Sequence, residues 1–163
     1  MSQISNNLAW CLKDKRRLVK TKPDLELAQK HLKKSEHNYR VVQALEKLKI
    51  YDWALNIGFY AIYHCFLAIL SKYGYESKNQ SCTITVLLAL IEQKKLNLDK
   101  DLVVQFDTIE IEKNIASPTI RMERELSTYG VETSIDLQQL THIKELVVKV
   151  QRTTISLLAE YFT

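Results

Sequence analysis

The sequence predicts an all-α protein, an antiparallel helical bundle of four to five core helices with an extra N-terminal helical segment. The chain of 163 residues contains only three glycines and two prolines, which leaves few sites for tight turns and favours long helices. Apolar residues also recur at intervals of three and four, the period of an amphipathic helix. Alternation with period two occurs only in VETSI at 131–135, which is short and polar, so no strand is predicted.

Two helices are predicted in the first fifty residues. The first covers Ser5 to about Val19. The second runs from Pro23 to Lys49, because proline suits the first turn of a helix and Asp24 favours the positive end of the helix dipole. The apolar or small residues of this second helix form one stripe at Leu25, Ala28, Leu32, Ser35, Tyr39, Val42, Leu45 and Leu48.

The stretch from Asp52 to Gly74 is the most apolar part of the chain. Its middle runs for 18 residues without a charge, which is long enough to raise the question of a membrane span. Polar groups interrupt this run at Asn56, Tyr60, Tyr63 and His64. Hydrocarbon offers these groups no hydrogen-bond partners. We therefore interpret the stretch as the central helix of a soluble bundle, ended by Gly74 as a left-handed cap, and predict no membrane partner.

Three further helices are predicted between residues 81 and 130. Ser81 is a suitable cap for a helix that continues to about residue 96. The next helix spans Leu98 to about Ile115. Ser117 and Pro118 are typical of the cap and first turn of a short helix, which Gly130 ends.

The last predicted helix starts at Ser134 or Asp136 and extends to Tyr161. Its apolar stripe consists of Leu140, Ile143, Val147, Val150, Thr154, Leu157 and Tyr161. No internal repeat, low-complexity tract or interdomain linker interrupts the chain. We therefore divide it into a basic N-terminal helical segment at 1–22 and one helical bundle at 23–163.

Positive charge is concentrated near the start of the chain. Residues 1–50 hold 12 Lys and Arg against 5 Asp and Glu, whereas residues 51–163 hold 11 against 14. The excess is densest at Lys13, Lys15, Arg16, Arg17, Lys20 and Lys22. Such a cluster attracts phosphate backbones or an acidic partner. The alternative is a solvated helix face or a flexible arm, which the lack of interleaved aromatic residues favours.

The three cysteines, Cys11, Cys65 and Cys82, indicate a reduced protein. Their number is odd and no CxxC pair is present, which argues against a disulfide framework and against a zinc knuckle. The start of the chain also lacks the basic segment and apolar run of a secretory signal. The predicted location is therefore the cytoplasm.

Tyr60 and His64 are the first candidates for chemistry. They lie four residues apart, one turn above the other on the same face of the central helix. Histidine can act as an acid or a base near neutral pH, but a core histidine bonded to a neighbouring group explains the pattern equally well. No HExxH motif and no pair of histidines at helical spacing is present, so we predict no metal site and no cofactor.

Arg121 and Arg124 are the second candidates. They lie three residues apart on one helix face, where both guanidinium groups can hold one phosphate. The alternative is surface ion pairing with Glu123 and Glu125. Tyr129 follows just before the predicted end of the helix. No GxxxxGK[ST], GxGxxG or GxSxG motif is present, which leaves standard phosphate loops and serine hydrolases without support.

Three segments of the chain, in this order and at this spacing, resemble one known family. They are LAQKHLKKSEHNYRVVQAL at 27–45, an amphipathic helix, DWALNIGFYAIYHCFLAILSKYG at 52–74, an aromatic-rich helix, and RMERELSTYG at 121–130. The second is similar to a pattern of the type AYYAxxHA that ends at glycine, and the third to an arginine segment that ends in tyrosine. Together they resemble the HEPN superfamily, particularly its small stand-alone prokaryotic members, over residues of about 24–162.

The resemblance implies a bundle of four or five core helices that often forms a homodimer. Many HEPN proteins are metal-independent endoribonucleases whose motif is an arginine, a polar residue, three to five others and a histidine. Arg124 matches the motif arginine, but positions 128–131 read Thr, Tyr, Gly and Val, so the motif histidine is missing. Tyrosine, with an ordinary pKa of about 10, is a poor base at neutral pH.

We therefore expect an HEPN-like module that binds RNA or a nucleotide through Arg121, Arg124 and Tyr60. The resemblance implies a homodimer, paired with a small nucleotidyltransferase in a toxin–antitoxin or defence system. The alternative is a metal-independent endoribonuclease with an altered centre made of Arg124, Tyr129 and His64. A third hypothesis is a purely structural helical subunit.

Overall fold

The structure is a computed structural model that describes residues 2–106, 119–130 and 135–160. Within these ranges it contains seven helices and one two-stranded sheet, which confirms the predicted all-α class. The elements in chain order are α1 Gln3–Leu12, β1 Leu18–Lys20, α2 Leu25–Lys47, α3 Tyr51–Lys72, β2 Tyr75–Ser77, α4 Gln80–Glu92, α5 Lys100–Phe106, α6 Ile120–Tyr129 and α7 Leu137–Ala159.

Three long helices, α2, α3 and α7, form the centre of the bundle. A tight turn joins α2 to α3, so these two helices are antiparallel. The helix α7 is antiparallel to α2 as well. Near one end Lys144 Nζ lies 2.6 Å from Glu46 Oε2, and near the middle Gln151 Nε2 donates to Ser35 Oγ at 3.0 Å.

The helices α3 and α7 run parallel to each other. Gly58 near the start of α3 faces Ile143 near the start of α7, and a Cβ at Gly58 would lie 3.3 Å from the isoleucine side chain. At the other end, Lys72 Nζ donates hydrogen bonds to the carbonyl oxygens of Leu157 and Glu160. Three helices that all touch one another cannot all be antiparallel, so one pair in this bundle must be parallel.

The helix α3 lies at the centre of the protein. It is the one helix in the described ranges that is long and apolar enough to cross a membrane, but 78% of its most apolar window is buried inside the fold. Phe59, Ile62, Phe66 and Ile69 are completely buried. Neighbouring helices cover the apolar side chains around nearly the whole circumference of α3, as expected for the central helix of a bundle.

The ends of two helices differ from the predicted ends. The helix α1 stops at Leu12 instead of about Val19, because Leu18–Lys20 pairs antiparallel with Tyr75–Ser77. This small sheet was not predicted, since strands of three residues leave no periodic signal. The helix α4 is capped by Asn79, whose side chain accepts a hydrogen bond from the Cys82 amide at 2.9 Å, and not by Ser81.

Other predicted boundaries are confirmed within the described ranges. Asp136, one of the two predicted starts, caps α7 through its side chain. The helix α2 begins two residues later than predicted, at Leu25, and Asp24 is its cap. Gly74 follows α3 with φ of 80°, the left-handed conformation expected of a glycine cap. The predicted helix from Leu98 is represented by α5. The predictions at Ser117, Pro118, Ser134 and Tyr161 lie outside the described residues.

The N-terminal segment is joined to the bundle by a covalent bond and a strand pair. Cys11 of α1 forms a disulfide with Cys82 of α4, and their Cα atoms are 5.8 Å apart. The sequence argument against disulfides is therefore wrong for this pair, because it could not see that α1 packs along α4. Cys65 is a buried free thiol. The cytoplasmic location stays a prediction, and disulfides are most common in oxidising compartments.

We expect the disulfide to contribute strongly to stability, because it links residues 71 positions apart. The substitution Cys11→Ser should lower the free energy of unfolding by about 4 kcal/mol, the chain-entropy value for a loop of this length. Urea denaturation of the variant and of the oxidised protein measures the difference. A reductant should lower the stability of the unsubstituted protein by a similar amount. Three titratable thiols in the oxidised native protein would contradict the assignment.

Candidate functional site

The two arginines of α6 point toward α3 and α4. Arg124 is buried, with a guanidinium carbon 4.6 Å from the ring centroid of Phe59 and 5.7 Å from that of Tyr60. Arginine stacks well on aromatic faces because its planar cation is weakly hydrated. The structure therefore places Arg124 beside Tyr60, which belongs to the same predicted ligand-binding set, but Phe59, which that set does not include, is the closer ring.

Arg121 lies one turn before Arg124 and is more accessible, with 29% of its side chain exposed. Its Nη1 atom donates to Ser81 Oγ at 3.1 Å, which connects α6 to the first turn of α4. Glu125 lies close to both guanidinium groups, 3.4 Å from Arg121 Nε and 3.6 Å from Arg124 Nη2. The carboxylate of Glu125 thus occupies a position next to both cations, where an anionic ligand would compete with it.

A chain of hydroxyl groups runs beside the arginines. The Tyr63 hydroxyl lies 3.1 Å from Thr83 Oγ1, which in turn donates to Ser77 Oγ at 2.8 Å. Burial raises the pKa of Tyr63, while the hydrogen bond with Thr83 and the charge of Arg121 act in the opposite direction. These hydroxyls stay protonated at neutral pH and can each donate or accept a hydrogen bond.

The arginines, the hydroxyls and the start of α4 together form what we call the arginine site, made of Tyr60, Tyr63, Ser81, Arg121 and Arg124. No group of three or more metal-binding side chains occurs among the described residues. The charge of the site is positive, its donors converge from three helices, and the N-terminus of α4 adds the positive end of a helix dipole. Such an arrangement suits a phosphate or another anion.

His64 lies on a different side of α3. Its Nδ1 atom is 3.0 Å from Nδ1 of His31 on α2, where one ring donates and the other accepts according to tautomer. Burial, followed by the charges of His31 and Lys34, lowers the pKa of His64 to about 4. Among the contacts of the described residues, none joins a histidine to Arg124. Sequence spacing placed Tyr60 and His64 in one row, but they face different neighbours.

The remaining predicted residues are only partly described. Tyr129 ends α6, and its side chain lies outside the described part of the chain. Asn56, which continues the row of Tyr60 and His64, is buried, and its Oδ1 atom has no hydrogen-bond partner among the described residues. Burial raises the pKa of Glu123, the residue that the sequence offers as an ion-pair partner for the arginines. The charge of His142 and a hydrogen bond with Gln139, both on α7, act on this pKa in the opposite direction.

Several site residues had no clear signal in the sequence. Phe59 looks like any core aromatic residue, and Ser81 was interpreted only as a helix cap. Their role depends on α6 returning to α3 and α4 after a long intervening stretch of chain. The available signal was indirect: two apolar helices each carry a few polar residues, and a later helix carries two arginines on one face.

Comparison with known proteins adds no identification. The chain matches no protein-family model and no curated protein sequence. The HEPN resemblance therefore stays a prediction, and the geometry of the arginine site is the physical basis for assigning a function.

The environment of His64 leads to a prediction that nuclear magnetic resonance can check. The ring of His64 should titrate near pH 4, well below the ordinary histidine pKa of about 6.5. Since the unfolded chain binds this proton first, the protein should lose stability as the pH falls from about 6.5 to about 4.

The substitution His31→Ala is the control for this titration. It removes a neighbour that lowers the pKa of His64, so the midpoint should move upward. A midpoint near 6.5 in the unsubstituted protein would show that His64 is solvated and not packed against His31.

Proposed function

We propose that this protein is an HEPN-like module that binds RNA or a nucleotide through the arginine site. The observation that supports this most directly is the pair Arg121 and Arg124, three residues apart on α6, aimed at the hydroxyl-rich side of α3 and α4. A phosphate placed there meets two guanidinium groups and several hydroxyl donors. The aromatic ring of Tyr60 is available to pack against a base or ribose.

Burial strengthens this arrangement. Arg124 is 7% exposed and lies over aromatic rings, so its charge is screened less than that of a surface arginine. Folding has already removed most of the water from this guanidinium, so ligand binding does not have to supply that desolvation free energy. An anion that replaces the Glu125 carboxylate therefore finds a cation already held in place, which lowers the ordering cost of binding.

The assembly belongs to the same proposal. HEPN-like modules often form homodimers, and we propose that this chain does so, paired with a small nucleotidyltransferase in a toxin–antitoxin or defence system. The support for this part is the resemblance of the three sequence segments. Size-exclusion chromatography with light scattering tests the dimer, and co-purification with the product of a neighbouring gene tests the pairing.

The alternative, a metal-independent endoribonuclease, needs a proton-transfer group beside Arg124. His64 contacts His31 on α2, and its lowered pKa makes it a weak base at neutral pH. These two observations favour binding over cleavage. Incubation of the protein with RNA in the presence of a chelator should therefore leave the RNA intact. Fragments that disappear on Arg124→Ala would establish the nuclease instead.

Substitution of the arginines tests the binding proposal. We expect Arg121→Ala to weaken binding of AMP or of a short RNA about tenfold or more, because a charge-assisted hydrogen bond contributes about 1.5–3 kcal/mol. The double change Arg121→Ala, Arg124→Ala should abolish detectable binding. Calorimetry or fluorescence anisotropy measures the affinities, and circular dichroism shows whether each variant is folded.

Two further variants separate binding from folding. Arg124→Lys keeps a positive charge but loses the planar fork, so it should keep the fold and still weaken binding. Glu125→Gln removes the carboxylate that lies 3.4 Å from Arg121 and 3.6 Å from Arg124, and it should strengthen binding. If the arginine changes leave binding unaltered, the site assignment is wrong.

A further inference from the structure

The segment between α1 and α2 carries a dense positive surface. Its cations lie within ten residues of one another, and all except Arg17 are exposed: Lys13, Lys15, Arg16, Arg17, Lys20 and Lys22. Asp14 is the only acidic residue in this stretch. It is bound by Arg16 through three contacts of 2.7 to 3.2 Å, and these hydrogen bonds lower its pKa to about 2. The surface therefore keeps a strong net positive charge at neutral pH.

An exposed aromatic ring belongs to the same surface. Trp10 at the end of α1 is 52% exposed, and the guanidinium carbon of Arg17 lies 3.6 Å from its ring centroid. Arg17 also donates to the carbonyl oxygen of Trp10 at 2.7 Å, which holds the two side chains together. The sequence interpretation found no aromatic residue among these cations. In the structure, the turn after α1 brings Trp10 back over Arg17.

This surface is held in place by the rest of the protein. Cys11, next to Trp10, is bonded to Cys82, and Leu18–Lys20 pairs with β2. The carbonyl oxygen of Arg17 accepts a hydrogen bond from the Lys78 amide at 2.9 Å. A flexible arm, the alternative considered from the sequence, would have none of these attachments. A preorganised surface loses less entropy when it binds a ligand.

The surface also adjoins the arginine site along the chain. The strand β2 leads through Lys78 into Asn79, the cap of α4, and then to Ser81, which accepts a hydrogen bond from Arg121. The disulfide joins Cys11, next to Trp10, to Cys82, next to Ser81, so one strand of nucleic acid can reach both Trp10 and Arg121.

We propose that Trp10, Arg17 and the surrounding lysines form a second contact surface, which binds single-stranded nucleic acid by base stacking and by phosphate contacts. A base stacks on the exposed Trp10 ring, while Lys13, Lys15 and Lys20 contact phosphates. Stacking on an aromatic ring accepts any base, so the surface is not sequence-specific. The choice of RNA as the ligand rests on the proposed function, whereas the surface itself is made of different residues.

Fluorescence tests the stacking, because the chain has two tryptophans and both are 52% exposed. With Trp53→Phe, Trp10 is the sole tryptophan, and a twelve-nucleotide oligo(U) RNA should quench its emission. With Trp10→Phe, Trp53 is the matched control and should not be quenched. Duplex RNA of the same length should quench Trp10 less, since its bases are already stacked.

Salt dependence tests the phosphate contacts. The double change Lys15→Gln, Lys20→Gln should weaken oligo(U) binding and reduce the slope of log K against log salt by about 1.4, at about 0.7 per phosphate contact. Lys94→Gln, Lys95→Gln is the control with an equal charge change, in the turn that follows α4. It should alter the affinity little and leave the slope nearly unchanged.

The outcomes separate this proposal from the arginine site. Oligo(U) binding that depends on Arg121 but is indifferent to Trp10→Phe and to the two lysine changes would overturn the second surface and keep the proposed function. If oligo(U) binding depends on the lysines but AMP binding is unchanged by Arg121→Ala, the second surface is supported and the proposed function of the arginine site is wrong. No binding of oligo(U) or of AMP at low salt would overturn both.

Discussion

Burial of one mostly apolar helix, α3, constrains the rest of the fold. Apolar side chains cover nearly its whole circumference, so it is stable in water only when other helices surround it. The helices α2 and α7 cover two sides and α6 packs against a third. The tight turn between α2 and α3 makes these two helices antiparallel, so α7, which touches both, must run parallel to one of them. In this structure α7 runs parallel to α3.

The same constraint creates the arginine site. Tyr60 and Tyr63 project from a buried helix and need polar partners, which hydrocarbon side chains cannot supply. Arg124 approaches Tyr60 from α6, and Thr83 approaches Tyr63 from α4. The Arg124 guanidinium lies against the ring of Tyr60, and the Tyr63 hydroxyl is bonded to Thr83, so packing around α3 places a cation beside hydroxyl groups. This arrangement is also a suitable environment for a phosphate, which links the stability of the core to the proposed binding.

Local sequence preference and tertiary contact disagree most at the N-terminus. Residues up to Val19 have a helical pattern, yet Leu18–Lys20 is a strand because it pairs with the residues that follow Gly74. The disulfide between Cys11 and Cys82 holds this arrangement, and it explains why a cationic segment that looks like a loose arm is an ordered surface. An odd number of cysteines was a poor guide here, since two of the three pair and the third is a buried thiol.

The order of residues along the chain was enough to predict the fold class, the long helices α2, α3 and α7, and the caps at Gly74 and Asp136. These features follow from periodicity and from local backbone preferences, which act within a few residues. The same patterns singled out Arg121, Arg124 and Tyr60. Three contacts are found only in the tertiary structure: Arg124 on Phe59, His64 with His31, and Cys11 with Cys82. Each joins residues far apart in the chain, and their meeting depends on how the helices pack around α3, which no local pattern records.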